Sequence, residues 1–566
     1  PGSDRPDHNS WASFSPEAVV MSRAWRIPAL VLIPALIVAG VVVQNSHTDT
    51  ARQTVRLNEM VPAVSPADAL SSTWYCAAGT STGVTSGDGA GFAEQTLEIA
   101  NSSDVDATGL VTAIPDAGVM ASAPILIPAH GRQSVRVSDI VKSAWASALV
   151  EVSGGGITVV HELQGPSGRS VDTCASSPGS VWYFPSGTTR AGTRNVLTLF
   201  NPFPGEATVD ISFDTEDGSR TPQQLQGMVV PGGRVTVIDV SQVVTLREHV
   251  STTVSARVGR IVVEQVQSAD GRNGTEQGLT AVLGAATSAP VWSFPVATPA
   301  SMVTREIVSV FNPGDADTDV LVQVQLDDPQ TNGSVEPFHV SVAAHRSAVI
   351  DLGTDARIPK AVGRWLIVRS SDGAAIVAER SIGSSRTTGA SATGGLTHTI
   401  GVPVLATTWF AGFGSGANIS TSVLSIANPS ATQTATVSLL VHAKGSVTTV
   451  ASVQSVQVAP GERRLVDVAA VLGGRTDASL EVQSDGPVVV GQWIASSTPL
   501  DFFTISSFPL EGTQSLPVDV FSPEQAVKAG LDPSLVPDDT VIPDAVVTTS
   551  STASSSSTAS TTTSTP

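Results

Sequence analysis

At 566 residues the chain has room for several hydrophobic cores. Its 50 Asp and Glu against 30 Lys and Arg leave a net charge of -20. That balance disfavours nucleic acid and anionic membrane surfaces as partners, because both require clustered Lys and Arg. Aromatic residues are only 5%, and the Val, Ala, Thr, Ser and Gly that dominate favour strands and turns over helices.

Residues 1–20 are polar, contain Pro and lack periodicity, and Met21 after them reads as a natural beginning, so the first twenty are read as an upstream extension or a truncated start; 1–26 are expected to be a cytoplasmic N-terminal segment. Ile27 to Val43 is an uninterrupted apolar run of about 17 residues, the lower limit for crossing a bilayer. Arg23 and Arg26 on its N-terminal flank place that end inside, so 27–43 is read as a transmembrane signal-anchor with the bulk of the chain outside the cell membrane. Residues 44–72, polar and carrying Pro62 and Pro66, read as a linker.

A repeat of about 110 residues follows, a domain-sized period. Each unit opens on a Trp segment: Trp74-Tyr-Cys, Trp182-Tyr-Phe, Trp292-Ser-Phe and Trp409-Phe-Ala. Each then has an alternating strand closed by Asn101, Asn201, Asn312 or Asn428. Leu97 and Ile99, Leu197 and Leu199, Val308 and Val310, and Leu424 and Ile426 define one apolar face per strand, the mark of a half-buried strand. The Asn that ends it can satisfy its own turn through the side chain. A hairpin partner, a Pro-Gly turn such as Pro231-Gly or Pro460-Gly, and further short strands bring each unit to about seven strands, the count of a two-sheet antiparallel sandwich. The expected fold is all-β: four tandem immunoglobulin-like antiparallel β-sandwich domains, 73–177, 178–288, 289–404 and 405–517, after one N-terminal transmembrane helix. Residues 518–566, acidic and then nearly pure Ser and Thr, cannot bury a core and are expected to be a disordered tail.

These segments resemble a repeat of exported actinobacterial proteins, on Trp182-Tyr-Phe-Pro-Ser-Gly, Asn201-Pro, Ala207-Thr-Val-Asp-Ile, Pro231-Gly, Ile261-Val-Val-Glu264 and Ile376-Val-Ala-Glu379-Arg380. The whole chain is similar to an actinobacterial family of membrane-anchored secreted proteins of uncharacterised function. The resemblance implies a compartment and an architecture, and it carries no catalytic residues. Gly491-Gln492 stands where the repeat closes on Glu-Arg, and Ala78 where the Trp motif has Glu, so an activity resting on those acids cannot be common to all units.

Cys76 and Cys174 bracket the first unit and are expected to form one disulfide, closing a loop of about 98 residues and stabilising the fold by about 4.7 kcal/mol on a loop-closure estimate. No metal, cofactor or catalytic constellation is expected. His161-Glu162 is half of a zinc-protease motif, yet it lies in a strand-like run where the needed helical face does not exist. Asp315, Asp317 and Asp319 have the opening spacing of a calcium loop, but Val320 and Leu326 replace its Gly and Glu, and a solvated acidic turn is the better reading. The recurrent Trp74, Trp182, Trp292 and Trp409 read as core, whereas Trp145, Trp365 and Trp493 are less regular and are the candidate glycan contacts. The expectation is therefore a non-enzymatic envelope scaffold engaging cell-wall polysaccharide or an envelope protein. The competing reading, an accessory subunit or enzyme of envelope glycan assembly, needs a carboxylate pair with one raised pKa, and Glu264 and Glu379 are the place to look.

Overall fold

The computed structural model describes residues 57–83, 92–272, 276–296, 303–388, 391–413, 419–497 and 500–517; the expected cytoplasmic segment, signal-anchor and tail lie outside them. Among the described residues no helix is long and apolar enough to cross a membrane. The fold is all-β and sandwich-like, built from antiparallel sheets, and Arg56–Asp544 form one compact unit.

Each repeat begins with a Trp strand: Ser71–Cys76, Val181–Phe184, Val291–Phe294 and Leu405–Ala411. Strand alternation turns Trp74, Trp182, Trp292 and Trp409 inward, each no more than 2% exposed. Burying an indole strands its N–H unless a partner is found. Trp182 donates to Ile261 O at 2.9 Å, Trp292 to Ile376 O at 2.8 Å and Trp409 to Val488 O at 3.0 Å, tying the first strand to the segment that closes the repeat. Trp74 instead meets Phe508 edge to face, with centroids 5.3 Å apart.

The Asn strands are Glu94–Asn101, Thr193–Asn201, Val303–Phe311 before Asn312, and Ile419–Ala427 before Asn428. All four Asn side chains are used alike. The amide oxygen accepts from the N–H two residues on, at Ser103, Phe203, Gly314 and Ser430. The amide nitrogen donates to a turn carbonyl, at Val105, Gly205, Ala316 and Gln433. It also donates to a carbonyl of the hairpin partner's far end, Ile127, Val230, Val342 or Val458. A short polar side chain at the strand end thus fixes both the turn and its distance from the neighbouring strand.

In the first repeat the sheet holding the Trp strand orders as Ser71–Cys76, Ala146–Ser153, Ala107–Pro115, Ala121–Ile127. The other orders as Arg132–Arg136, the Asn strand, a closing strand Ile157–Gly165 and an axial strand Gly168–Thr173. The second and third repeats follow with closing strands Val262–Asp270 and Val377–Thr388 and axial strands Gln277–Leu283 and Ser391–Ile400. In the fourth, the 19-residue strand Ser479–Ser497 passes from one sheet to the other, and Leu500–Ser506 is its axial strand. Cys76 and Cys174 are joined in a disulfide, linking the two ends of the first repeat as expected.

The four repeats close into a ring. Each axial strand touches the next and the fourth touches the first. Side-chain oxygens of each strand accept backbone N–H groups from the following strand: Ser170 Oγ from Ala281 at 3.0 Å and Asp172 Oδ2 from Leu283 at 2.6 Å, Thr280 Oγ1 from His398 at 2.9 Å, Thr397 Oγ1 from Thr504 at 3.1 Å, and Asp501 Oδ2 from Arg169 at 2.8 Å. Ser170, Thr280 and Thr397 occupy the same register position, which is Phe503 in the fourth repeat. The last link is therefore made two residues earlier by Asp501, which stands where the others have Gly168, Gly278 and Gly395. A substituent on Gly168 would run into the Asp501 carboxylate, so the glycine is what lets the ring shut there.

An arginine from the turn before each short strand reaches the preceding repeat on the outside. Arg132 donates to Thr476 O (3.2 Å), Arg234 to Gly118 O (2.6 Å), and Arg346 pairs with Asp214 (2.9 Å) and Arg463 with Asp327 (2.7 Å). At the seam between the fourth and first repeats His130 Nδ1 also lies 3.1 Å from His442 Nδ1.

The linker expectation for 44–72 needs correction over its described part. Leu57–Met60 form a helical turn, Met60, Ala63 and Val64 are buried, and Val64 N donates to Pro509 O at 2.9 Å. Its apolar residues have an apolar ring surface to cover, so the stretch packs rather than tethers.

Because the ring shares its axial strands, Arg56–Asp544 should unfold in a single cooperative denaturant transition, with no separate step for each repeat. Thr397→Val leaves the buried Thr504 N–H unpaired and should lower stability by about 1–3 kcal/mol in the same measurement. Burial raises the Asp172 carboxyl to about 7 and the Asp501 carboxyl to about 8, so the folded state holds protons that the unfolded chain releases near pH 3.8. That contribution is full below the unfolded value and fades as pH rises through 7 and 8. His161, pushed down to about 4 by burial, acts oppositely and only below its ordinary 6.5. From pH 6.5 to 8 the melting temperature should therefore fall, by at most about 1.4 kcal/mol of stability per pH unit per acid, and Asp172→Asn should flatten the slope.

Candidate functional site

The loop that follows each Trp strand lies on the closing strand of the next repeat, which makes four equivalent seams. Pairing with the Asn strands aligns Val160, Glu264, Glu379 and Gly491 as one position of the closing strand. Each seam solves the burial of the loop's polar backbone in its own way.

Between repeats 1 and 2, Glu264 accepts from Ala77 N at 3.0 Å and Ala78 N at 2.7 Å. Burial raises this carboxyl well above its usual range and Asp172 adds to the rise, while the two N–H groups offset it in part. Between repeats 2 and 3, Glu379 accepts from Ser186 N at 2.8 Å; the preceding Pro185 has no N–H to offer. Between repeats 3 and 4 the pattern inverts. Ser425 Oγ and Arg463 Nη1 donate to Pro295 O at 2.6 and 2.8 Å, and a Cβ on Gly491 would lie 2.5 Å from the Val296 methyl that fills its place. Between repeats 4 and 1, Phe413 is 2% exposed and packs in one core with Val160, its ring 6.3 Å from that of Phe503 and 5.3 Å from the Arg132 guanidinium.

Two residues further along the same strand the equivalents are Glu162, Val266, Ser381 and Trp493. Trp493 fills its seam together with Val296, Ile382 and Phe502. Val266 does so with Ala78, Leu163 and Leu279, beside Phe92 stacked on Trp145. Glu162 is occupied by Arg169 at 2.6 Å. Ser381 is small and reaches only Ser186 Oγ, at 2.8 Å. The seam between repeats 2 and 3 consequently keeps a cleft that opens to solvent, with a cavity volume of about 50 Å³.

Charged and polar side chains line this cleft. Glu248 Oε1 accepts from Arg190 Nη1 at 2.9 Å and from Arg305 Nη2 at 3.3 Å, and Arg305 Nη1 lies 3.8 Å from Glu276 Oε2. Arg305 sits at a register shift in its strand, a local irregularity that re-aims a side chain. Thr188 N on Gln267 Oε1 (2.9 Å) and Thr188 Oγ1 on Arg247 O (2.9 Å) hold the opposite wall. His249 is pushed below its usual range, first by burial and then by Arg305 and Arg190 against the pull of Glu248, so it stands neutral at pH 7. At the inner end His398 Nδ1 lies 3.2 Å from Glu379 Oε1, and neither atom has a hydrogen-bond partner. The arrangement offers donors and acceptors at once, with the charges of Arg190 and Arg305 balanced by Glu248 and Glu276.

Glu264 and Glu379 do not meet; they sit in different seams, fully buried, as acceptors for the neighbouring repeat's backbone. Trp145, Trp365 and Trp493 are 9%, 0% and 5% exposed, so none presents a free ring face to a sugar here. A large apolar side chain in a two-sheet protein is most stable between sheets or across a seam, and all three are there. Asp317 caps Ala344 N at 2.9 Å and Asp315 accepts from His345 at 2.9 Å, within the expected acidic turn. His161 lies in a strand, with Gln95 on its Nδ1 at 3.1 Å. Among the described residues no group of three or more His, Cys, Asp or Glu is placed to hold a metal. Sequence reading missed Ser381, Arg305, Glu248 and Glu276; aligning Ser381 with Trp493 across repeats was the available signal for the first.

Residues 158–379 match a family described as being of unknown function (DUF5719), a segment running from the first closing strand into the start of the third and so containing both Glu264 and Glu379. No curated protein matches. Two solved structures are similar in part. One is the crystal structure of Thermotoga maritima 1070, at 21% identity over 20% of this chain and 93% of that one, with a TM-score of 0.16. The other is the tetra-tandem repeat in the extending region of a large adhesion protein, at 14% identity over 73% and 94%, with a TM-score of 0.10. The chain is similar over that central segment to an uncharacterised family.

Proposed function

We propose that this protein is a single-pass, membrane-anchored exported scaffold in which four immunoglobulin-like β-sandwiches carry a binding site for cell-wall polymer. The observation that supports the reading most is the contrast among the seams: Val266, Trp493 and the Glu162–Arg169 pair occupy one position in three of them, whereas the seam between repeats 2 and 3 has Ser381 there and keeps a polar, solvent-reaching cleft. Rigid walls favour binding because little conformational freedom is lost when a ligand is held. The acidic residues that would suit acid–base chemistry at the closing strands are used by neighbouring backbone instead. In the cleft, Arg305 lies between Glu248 and Glu276, a charge balance suited to holding hydroxyl groups. Signal-anchor, export and envelope location rest on 27–43 and the resemblance given above.

The purified compact unit should co-sediment saturably with isolated cell-wall polysaccharide and release no new reducing ends during prolonged incubation. Failure of the folded protein to sediment with the polymer would sink this reading and turn the search to an envelope protein partner. Release of reducing ends would establish the enzymatic alternative.

A further inference from the structure

Pseudo-fourfold repetition supplies an internal control that a single domain lacks. Whatever the fold needs at a seam should recur, and whatever departs from the recurrence is free to serve something else. The position that is Glu162, Val266 or Trp493 in the other three seams, a side chain larger than serine in each, is Ser381 between repeats 2 and 3. A small side chain at such a position leaves space that destabilises the fold where it stays empty. At this seam polar groups line the space.

Three features narrow the chemistry of an occupant. First, the two arginines and two glutamates cancel, so neither an anion nor a cation gains net Coulomb energy by entering, and a neutral molecule loses none. Second, donors and acceptors are interleaved. Glu248 and Glu276 accept, Arg305 donates, and the Gln267 amide and neutral His249 can do either, which suits a ligand whose own groups are both donor and acceptor. Third, Ile307 and Leu396 give the cleft a small apolar patch, while no Phe, Tyr or Trp ring lines it.

Hydroxyl groups on adjacent carbons meet all three. A carboxylate oxygen accepts from one, the guanidinium fork donates to its neighbour, and the ring C–H face covers the apolar patch. We infer that the cleft between repeats 2 and 3 binds a neutral vicinal diol of a glycan unit, with Glu276 and Arg305 as its polar contacts and Ser381 as the residue that makes room. This rests on the polymer-binding reading and locates it. With no aromatic platform the affinity for one unit should be in the millimolar range, about -4 kcal/mol.

Saturation-transfer NMR on the compact unit tests this, with a panel of neutral methyl pentosides and hexosides as probes and inorganic phosphate, followed by ³¹P line broadening, as the anion arm. Glycoside signals should appear with wild type and phosphate broadening should not. Ser381→Trp, which installs the side chain used by the next seam, should abolish the glycoside signals, and Glu276→Ala, on the rim, should weaken binding about tenfold or more. Both variants are to show the wild-type circular dichroism and melting; should Ser381→Trp not fold, Glu276→Ala decides. Binding of wall polysaccharide or glycosides that both folded variants retain would overturn the assignment of this cleft while leaving the polymer-binding reading intact. Phosphate binding without glycoside binding would overturn the diol. A folded wild type that binds neither glycoside nor polymer would remove both.

Discussion

Everything above the level of a single repeat depends on the axial strands giving side-chain oxygens to a neighbour's backbone N–H groups, around a closed circuit from Ser170 through Thr280 and Thr397 to Asp501. An axial strand has its closing strand on one side and would otherwise present an unpaired edge on the other, the feature that β proteins must pair or cover. Facing four such edges inward covers them all. Small β-branched or hydroxyl residues with glycine two positions earlier let the strands approach, and where Phe503 interrupts that pattern Asp501 restores the bond from the glycine's own position. A carboxylate is a costly substitute in so enclosed a place, and burial lifts its pKa accordingly.

With the axis fixed, each post-Trp loop is pressed onto the next closing strand, and the buried loop backbone needs partners. Glu264 and Glu379 supply them as acceptors, Ser425 and Arg463 as donors, while Val296 and Phe413 seal with apolar surface. The same geometric position therefore tolerates an acid, a glycine and a valine, provided that the loop changes with it. Repeats joined in this way are free to diverge in sequence seam by seam without losing the ring. That freedom is where a binding site can arise, since a seam stabilised from the axis can keep a gap at its outer end.

Aromatic residues illustrate how a reasonable expectation and the structure part company. Trp145, Trp365 and Trp493 were set apart because they recur less regularly than the other four, and irregular placement suggested a surface role. Irregularity has another source in a ring: seams differ, and Trp145 beside Phe92 and Trp493 beside Val296 each fill the gap peculiar to one of them. Trp365 lies in the inter-sheet core of its own repeat. The side chains that line the open cleft are instead ordinary Arg, Glu, Ser and Thr residues, each with many unremarkable equivalents along the chain.

What the sequence by itself determined is local and periodic. Alternation in the Asn strands, the Asn that closes them, the Trp that fills each sandwich and the Cys76–Cys174 pair all follow from short-range patterning or simple counting, and the structure places them accordingly. Only tertiary structure decided that the repeats form a circuit rather than a string, that Glu264 and Glu379 serve the neighbouring repeat, and that Arg190, Glu248, Glu276 and Arg305 converge. Those pairings join residues far apart in the chain, 332 positions for Arg169 with Asp501 and 344 for Arg132 with Thr476. The physical reason is that periodicity records which face of a strand is buried and carries no record of what buries it.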